Sequence, residues 1–257
     1  MAAHSAQSAV PQAPQVRFLG TGDAFGSGGR FQTCIAFSGG GQRVLLDCGA
    51  SSLIAMKRFG IDPNSVAAVL LTHLHGDHFG GLPFFIVDAQ LYAKRTAPLL
   101  IGGPPGTPER LIAAMEAFFP GSSKVSRAFE VSHVEWRPGQ PVPVGPATVT
   151  AFPALHGSGA PPFSLRVEMA GRTVAYSGDT EWTPALPEVC RGADLFVCEC
   201  LMADKPVKFH LDYDTLRAHA DELKPRRMLL THMGPDVLAL RDTLSWETAE
   251  DGQAIEL

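Results

Sequence analysis

No apolar run in this 257-residue chain approaches the roughly 20 residues that cross a bilayer, so no membrane segment is expected. Blocks of Lys or Arg are also missing. With 21 basic and 26 acidic side chains the formal charge is −5, which argues against a general nucleic-acid-binding surface. Cysteine is scarce: Cys34, Cys48, Cys190, Cys198 and Cys200 form an odd set without regular spacing, unlike a disulfide framework. Cys198-Glu199-Cys200 is not a CxxC pair, so these read as reduced, buried thiols. Residues 1–15 hold no Lys, Arg or apolar stretch; they read as a loose tail rather than a secretory signal, with the cytoplasm as the expected compartment. No Gly/Ser or charged linker and no repeat interrupts 16–257, so one domain is expected there.

A composition of 45% hydrophobic and 18% charged residues belongs to a folded chain. Strands are predicted at 16–20, 31–38 and 43–48, with Gly39-Gly40-Gly41 turning the last two. A helix at 51–59 precedes an apolar strand at 66–71, and helical spacing returns at 80–93 and 108–119 around a strand at 98–101. Residues 164–169 and 173–177 alternate around Ala170-Gly171 as a hairpin. Later come strands at 195–198, 228–230 and 254–257 and a helix at 213–223. The pattern predicts a sheet-rich core covered by helices. Gly20-Thr21-Gly22-Asp23-Ala24-Phe25-Gly26 imitates a dinucleotide fingerprint, but Gly26-Ser27-Gly28-Gly29 continues as loop instead of opening a helix. It reads as a strand connection, with a place beside an active site left open.

The nine histidines are the unusual presence. Thr72-His73-Leu74-His75-Gly76-Asp77-His78 directly follows an apolar strand. Two residues apart in extended chain, His73 and His75 project to one side, while Asp77 and His78 can offer an oxygen and another imidazole to a neighbouring ion. Further candidates follow in order: His156 after the alternating 148–152 run, Asp179 in Tyr176-Ser177-Gly178-Asp179, and His232 ending Leu229-Leu230-Thr231-His232.

This series resembles the metallo-β-lactamase superfamily, over essentially the whole chain after the tail. The resemblance implies an α/β fold: an αββα sandwich of two mixed β-sheets flanked by helices, with metals at one edge. It implies that His73, His75 and His156 hold one ion and Asp77, His78 and His232 a second, with Asp179 bridging and Asp47 supporting ligands from behind. The nitrogen and oxygen donors suit zinc, and manganese or iron is admissible. Two such ions can share a nucleophilic hydroxide, leaving a positive hole that attracts an anionic ester.

Glu199 ends a strand-like run and His210 follows eleven residues later. This arrangement looks like the ribonuclease Z-like branch, where such a pair assists proton delivery to the leaving oxygen. The resemblance therefore implies catalytic roles for Asp77, Glu199 and His210. Ribonuclease Z proper carries a long tRNA-binding arm between its histidine and aspartate motifs, whereas only residues 157–178 lie between His156 and Asp179. The expectation is a dinuclear-metal phosphodiesterase for small or cyclic phosphodiesters, with tRNA not expected as a partner. Alternatives are aryl or alkyl sulfate-ester hydrolysis, or lactone or thioester hydrolysis, at the same site. Phe79, Leu82, Phe84 and Phe85 read as a helix packed on the sheet or as a cleft wall. Leu111, Ile112, Met115 and Phe118 read as core or as a homodimer face. His4, His133 and His219 have no assigned role.

Overall fold

A computed structural model describes residues 9–257. The chain begins with β1 (Gln15–Gly20), β2 (Cys34–Gly39) and β3 (Gln42–Leu46), followed by α1 (Ser52–Arg58) and β4 (Ala68–Leu70). Next come α2 (Gly76–Phe79), α3 (Leu82–Leu91), β5 (Leu99–Gly103), α4 (Thr107–Phe118) and β6 (Val131–Glu135). The middle holds β7 (Pro141–Val144), β8 (Ala147–Pro153), β9 (Phe163–Met169) and β10 (Arg172–Tyr176). The last part contains α5 (Leu186–Cys190), β11 (Leu195–Glu199), α6 (Tyr213–Ala218), β12 (Met228–Thr231), α7 (Pro235–Leu240), β13 (Glu247–Thr248) and β14 (Ala254–Glu256).

Among the described residues the strands form two seven-stranded sheets, ordered β14-β1-β2-β3-β4-β5-β6 and β13-β12-β11-β10-β9-β8-β7. Each is antiparallel over part of its width and parallel over the rest, with β3 through β6 and β10 through β13 parallel. Strand alternation explains the layering. Val16, Phe18, Val44 and Leu46 face Val149, Leu165, Val174 and Val197 across the space between the sheets. On the outer side of the first sheet Leu19, Leu45 and Val69 meet Met56, Phe85, Leu111 and Met115 from the helices. On the outer side of the second, Phe196, Cys198 and Leu230 meet Leu186, Leu216 and Val237. The result is the αββα sandwich, and all five cysteines lie buried and free within it. Among the described residues no helix is long and apolar enough to cross a membrane.

Several expectations need correction. The helix expected over 213–223 ends at Ala218. The chain turns at His219, whose ring stacks on Trp182 with centroids 3.9 Å apart, and Pro225 bars a longer helix. β6 and β7 are not evident in the sequence; β7 contains Pro141 and Pro143, which a sheet edge tolerates. Helices α5 and α7 span five and six residues, too few for a period to show. Of residues 1–15, residues 1–8, with His4, lie outside the described part. Pro11, Gln12 and Pro14 accept backbone hydrogen bonds from Gly41, Gly40 and Leu257, so the chain is tied down before residue 16.

Strand direction sets the position of the site. Asp47, His73, Asp179 and His232 follow the C-terminal ends of β3, β4, β10 and β12, and Glu199 ends β11. All therefore gather at one edge of the sandwich. The two sheets nearly touch there. Gly178 adopts φ 58°, and a Cβ on it would lie 2.9 Å from Cβ of Thr72 and 3.0 Å from the Phe163 carbonyl oxygen. Residues 157–178, between His156 and Asp179, are consumed mainly by the β9–β10 hairpin, which turns at Ala170 and Gly171.

Candidate metal centre

The sequence-derived ligand candidates converge. His73, His75 and His156 each bring a ring nitrogen within 4.8 Å of the others. Asp77, His78, Asp179 and His232 form a second cluster of the same compactness, and all four are buried. Each cluster joins a segment following β4 to residues carried by the second sheet.

The hydrogen bonds behind the rings decide which nitrogen faces the centre. Asp47, at φ 58°, uses one carboxylate oxygen to accept the Thr72 N–H and the other to accept the Thr72 hydroxyl, each at 2.8 Å. The second oxygen also accepts Nδ1–H of His78 at 2.7 Å. Since the Thr72 proton goes to Asp47, its oxygen receives Nδ1–H of His73 at 3.0 Å. His156 donates through Nδ1 to the Phe209 carbonyl at 2.8 Å. His232 lies at a longer 3.4 Å from the Thr33 hydroxyl through Nδ1. In each case Nε2 remains for the centre. Nε2 of His156 and Nδ1 of His75 face one another at 3.0 Å. Left-handed backbone at Asp47, Phe209 and His232, all non-glycine, marks the same neighbourhood as locally strained.

Buried atoms without partners test whether this cage fits a cation. Nε2 of His73, Nε2 of His78 and Oδ1 of Asp179 are buried with no hydrogen-bond partner. Nε2 of His78 is 3.2 Å from carboxylate oxygens of both Asp77 and Asp179 but aligned with neither as a hydrogen bond. Such orphans are costly in a folded interior unless an ion or water meets them. The charges agree. Burial pushes His73 well below the ordinary imidazole range, with His78 adding to it, and burial lowers His156 and His232. Burial opposes charge on His78 as well, yet Asp179, Asp47 and Asp77 together lift it well above that range. Burial likewise resists ionisation of Asp179, but His232 and His78 hold it well below the carboxylate range. A cage of carboxylates and imidazoles, in which His73, His156 and His232 are disfavoured as cations while the carboxylates call for positive charge, fits one or two divalent cations.

Glu199 and His210 meet beside this cage. His210 Nδ1 donates to the Glu199 carboxylate at 3.0 Å, and Thr180 N–H donates to the other Glu199 oxygen. Burial would lower His210, but the Glu199 hydrogen bond and charge raise it to about 9. His210 and Asp179 also approach to 3.9 Å, and His210, Asp179 and His156 form a third compact group of potential ligands.

A cleft of about 380 Å³ opens over the cluster. His75, Asp77, His156, Asp179, His210 and His232 line it, together with Asp23, Ala24 and Phe25 of the glycine-rich connection and Leu201. The supporting Thr33, the Phe209 carbonyl and Leu201 carry no sequence signal of their own. Phe79, Leu82 and Phe85 are buried in the outer core, while Phe84 packs near Phe118 and Phe119. None of these four lines the cleft, so the packing reading holds. Leu111 and Met115 are core residues; Ile112 and Phe118 are more than half exposed. His219 hydrogen-bonds Glu222, and His133 sits in β6, neither lining the cleft.

A two-sheet sandwich with a histidine–aspartate cage at the strand ends defines a metallo-hydrolase class. The chain belongs to the β-lactamase superfamily: residues 42–233 match the family described as "Beta-lactamase superfamily domain". Within it the chain is ribonuclease Z-like. It is 29% identical over 270 residues to ribonuclease Z of Mycobacterium marinum, covering 95% of each chain. It is also 35% identical over 197 residues to the uncharacterized protein ML1173 of Mycobacterium leprae, covering 75% of this chain and 67% of that one. Among solved structures, the short form of human tRNase Z aligns with a TM-score of 0.75 at 24% identity, over 94% of this chain and 98% of the other. A diphosphatase from the PhnP family aligns with a TM-score of 0.76 at 20% identity, over 95% and 98%. These two structural likenesses establish the shared fold.

Proposed function

We propose that this hydrolase is a dinuclear-metal phosphodiesterase acting on small or cyclic phosphodiesters. The observation that carries the reading is the Glu199–His210 pair, whose imidazole lines the same cleft as both ligand clusters. His73, His75 and His156 would hold one ion; Asp77, His78 and His232 would hold the other, with Asp179 shared. Two divalent ions, zinc before manganese or iron, would supply positive charge for the ester and activation of water.

The chain's own residues provide the rest. Glu199 holds the imidazole through Nδ1 and favours its protonated form. The opposite nitrogen, Nε2, is then a donor able to protonate a departing alkoxide. That help matters most for esters with poor leaving groups, which favours phosphodiesters over thioesters or activated lactones. Asp77 would serve as a ligand, and its carboxylate could orient the attacking water. Sulfate esters remain the nearest rival in shape and charge.

The ribonuclease Z relatives favour a second reading, cleavage of precursor tRNA. The short 157–178 segment, consumed mainly by a hairpin, leaves no room for the long arm expected of that activity. A hydrolysis panel at controlled metal decides: bis-aryl phosphate, cyclic nucleotides, aryl sulfate, lactone, thioester and precursor tRNA. Turnover concentrated on the small phosphodiesters is expected. Efficient precursor-tRNA cleavage at physiological salt, or preference for the sulfate, lactone or thioester, overturns the proposal.

A further inference from the structure

Phe25 is 94% exposed, the largest exposure among the large hydrophobic side chains of the described residues. A lone exposed apolar side chain is ordinary. Position makes this one different. Among the described residues, of the exposed large hydrophobics, which include Ile54, Tyr92, Ile112 and Phe118, Phe25 alone lines the candidate metal cleft.

Its loop is braced rather than slack. Gly22 N–H donates to the Phe31 carbonyl at 2.8 Å and closes the neck. Asp23 is only 4% exposed, and one of its oxygens accepts the N–H groups of Phe25 at 3.2 Å and Ser27 at 2.8 Å. Its other oxygen takes the Ser27 hydroxyl at 2.6 Å. Gln32 donates to the Ala24 carbonyl at 3.0 Å, and Asp251 accepts the backbone N–H groups of Thr21 and Phe31 at 2.9 and 2.7 Å. The hydrogen bonds thus fix the backbone on both sides of Phe25 while its ring stays in water. Ala24 and Leu201 add apolar side chains to the lining of the same cleft.

We infer that Phe25 is a substrate-binding residue, a stacking platform for a planar aromatic group carried by the ester. The reading rests on the proposed phosphodiesterase activity and names its substrate class: a phosphodiester bearing a nucleobase or aryl ring. The anionic phosphorus group sits at the cage, and the ring lies on Phe25 at the rim. Stacking on an aromatic side chain tolerates many ring types, so it selects the class without reading its edges.

The test compares matched ligands on the full-length, metal-loaded protein. Calorimetry gives the ratio of affinities for phenyl phosphate and methyl phosphate in wild type, Phe25→Ala and Phe25→Trp. The wild type should prefer the phenyl ligand by about 5- to 150-fold, the range that one stacked ring supplies. Phe25→Ala should bring the ratio near parity, and Phe25→Trp should keep it. With bis-aryl phosphate the same loss should appear in KM more than in kcat. A wild type without aromatic preference overturns the inference, as does a preference that persists in Phe25→Ala. A dimer that dissociates in Phe25→Ala also overturns it, because the ring then belongs to an interface. Absence of phosphodiester turnover by the wild type would instead sink the activity, while the phenyl-to-methyl ratio still decides the role of Phe25.

Discussion

Asp47 and His78, 31 residues apart and fully buried, are joined by a 2.7 Å hydrogen bond from imidazole Nδ1 to carboxylate Oδ2. The same carboxylate holds the backbone and hydroxyl of Thr72, whose oxygen supports His73. One aspartate thereby orients imidazoles from both candidate ligand clusters.

Replacing Asp47 should therefore weaken metal binding even though it is not itself a proposed ligand. Asp47→Asn is expected to lower affinity by about 10- to 100-fold, the usual cost of losing such support. Chelator competition measures it. Unchanged affinity would show that the imidazoles are held well enough without the carboxylate.

Glu199 and His210 should act on turnover and leave metal content alone. His210→Ala and Glu199→Gln are each expected to cut kcat by about 10²- to 10⁴-fold on a phosphodiester with a poor leaving group. The loss should shrink with a good leaving group. Elemental analysis of the variants is the control. Loss of an ion from His210→Ala would place that imidazole among the ligands, as its approach to Asp179 and His156 allows.

Without metal, the His210 proton ties stability to pH. Its pKa is raised from 6.5 to about 9, so the folded state binds more proton than the unfolded state between those values. The contribution is fully present below 6.5 and is lost as pH rises through about 9. Denaturant midpoints of the metal-free protein should fall across this window and fall less in His210→Gln. An equal slope in both proteins removes the pair as the cause.

Acid should act on the loaded protein in the opposite direction. Imidazoles must be neutral to bind, so ions should leave before the chain unfolds. Metal content and circular dichroism followed down the pH scale give the order of events. Metal retained at about pH 4, well below the ordinary imidazole pKa, would contradict the histidine ligand set.

Gly178 should tolerate no side chain. Gly178→Ala combines left-handed φ with a methyl 2.9 Å from Thr72 and should destabilise by about 1–3 kcal/mol. Denaturant melts measure the change; a wild-type midpoint would mean that the two sheet edges can part freely.

Much of the site was legible because its signals are local. His73, His75, Asp77 and His78 share one short turn after an apolar strand, and spacing alone shows that they can face common centres. His156, Asp179 and His232 were recognisable through order and resemblance. The two-sheet architecture followed from that resemblance, whereas short α5 and α7 and the proline-containing edge strand β7 left too little pattern to read.

The sequence by itself determined which side chains are candidates for metal chemistry and that no long arm interrupts 157–178, because residue type and spacing are properties of the chain. Only the tertiary structure decided which nitrogen of each histidine faces the centre. Those choices depend on Asp47, Thr72 and the Phe209 carbonyl, brought to the rings by strand pairing and left-handed turns. It also decided that the glycine-rich connection borders the cleft with Phe25 exposed. Packing between distant segments determines what remains uncovered, and local spacing contains no record of it.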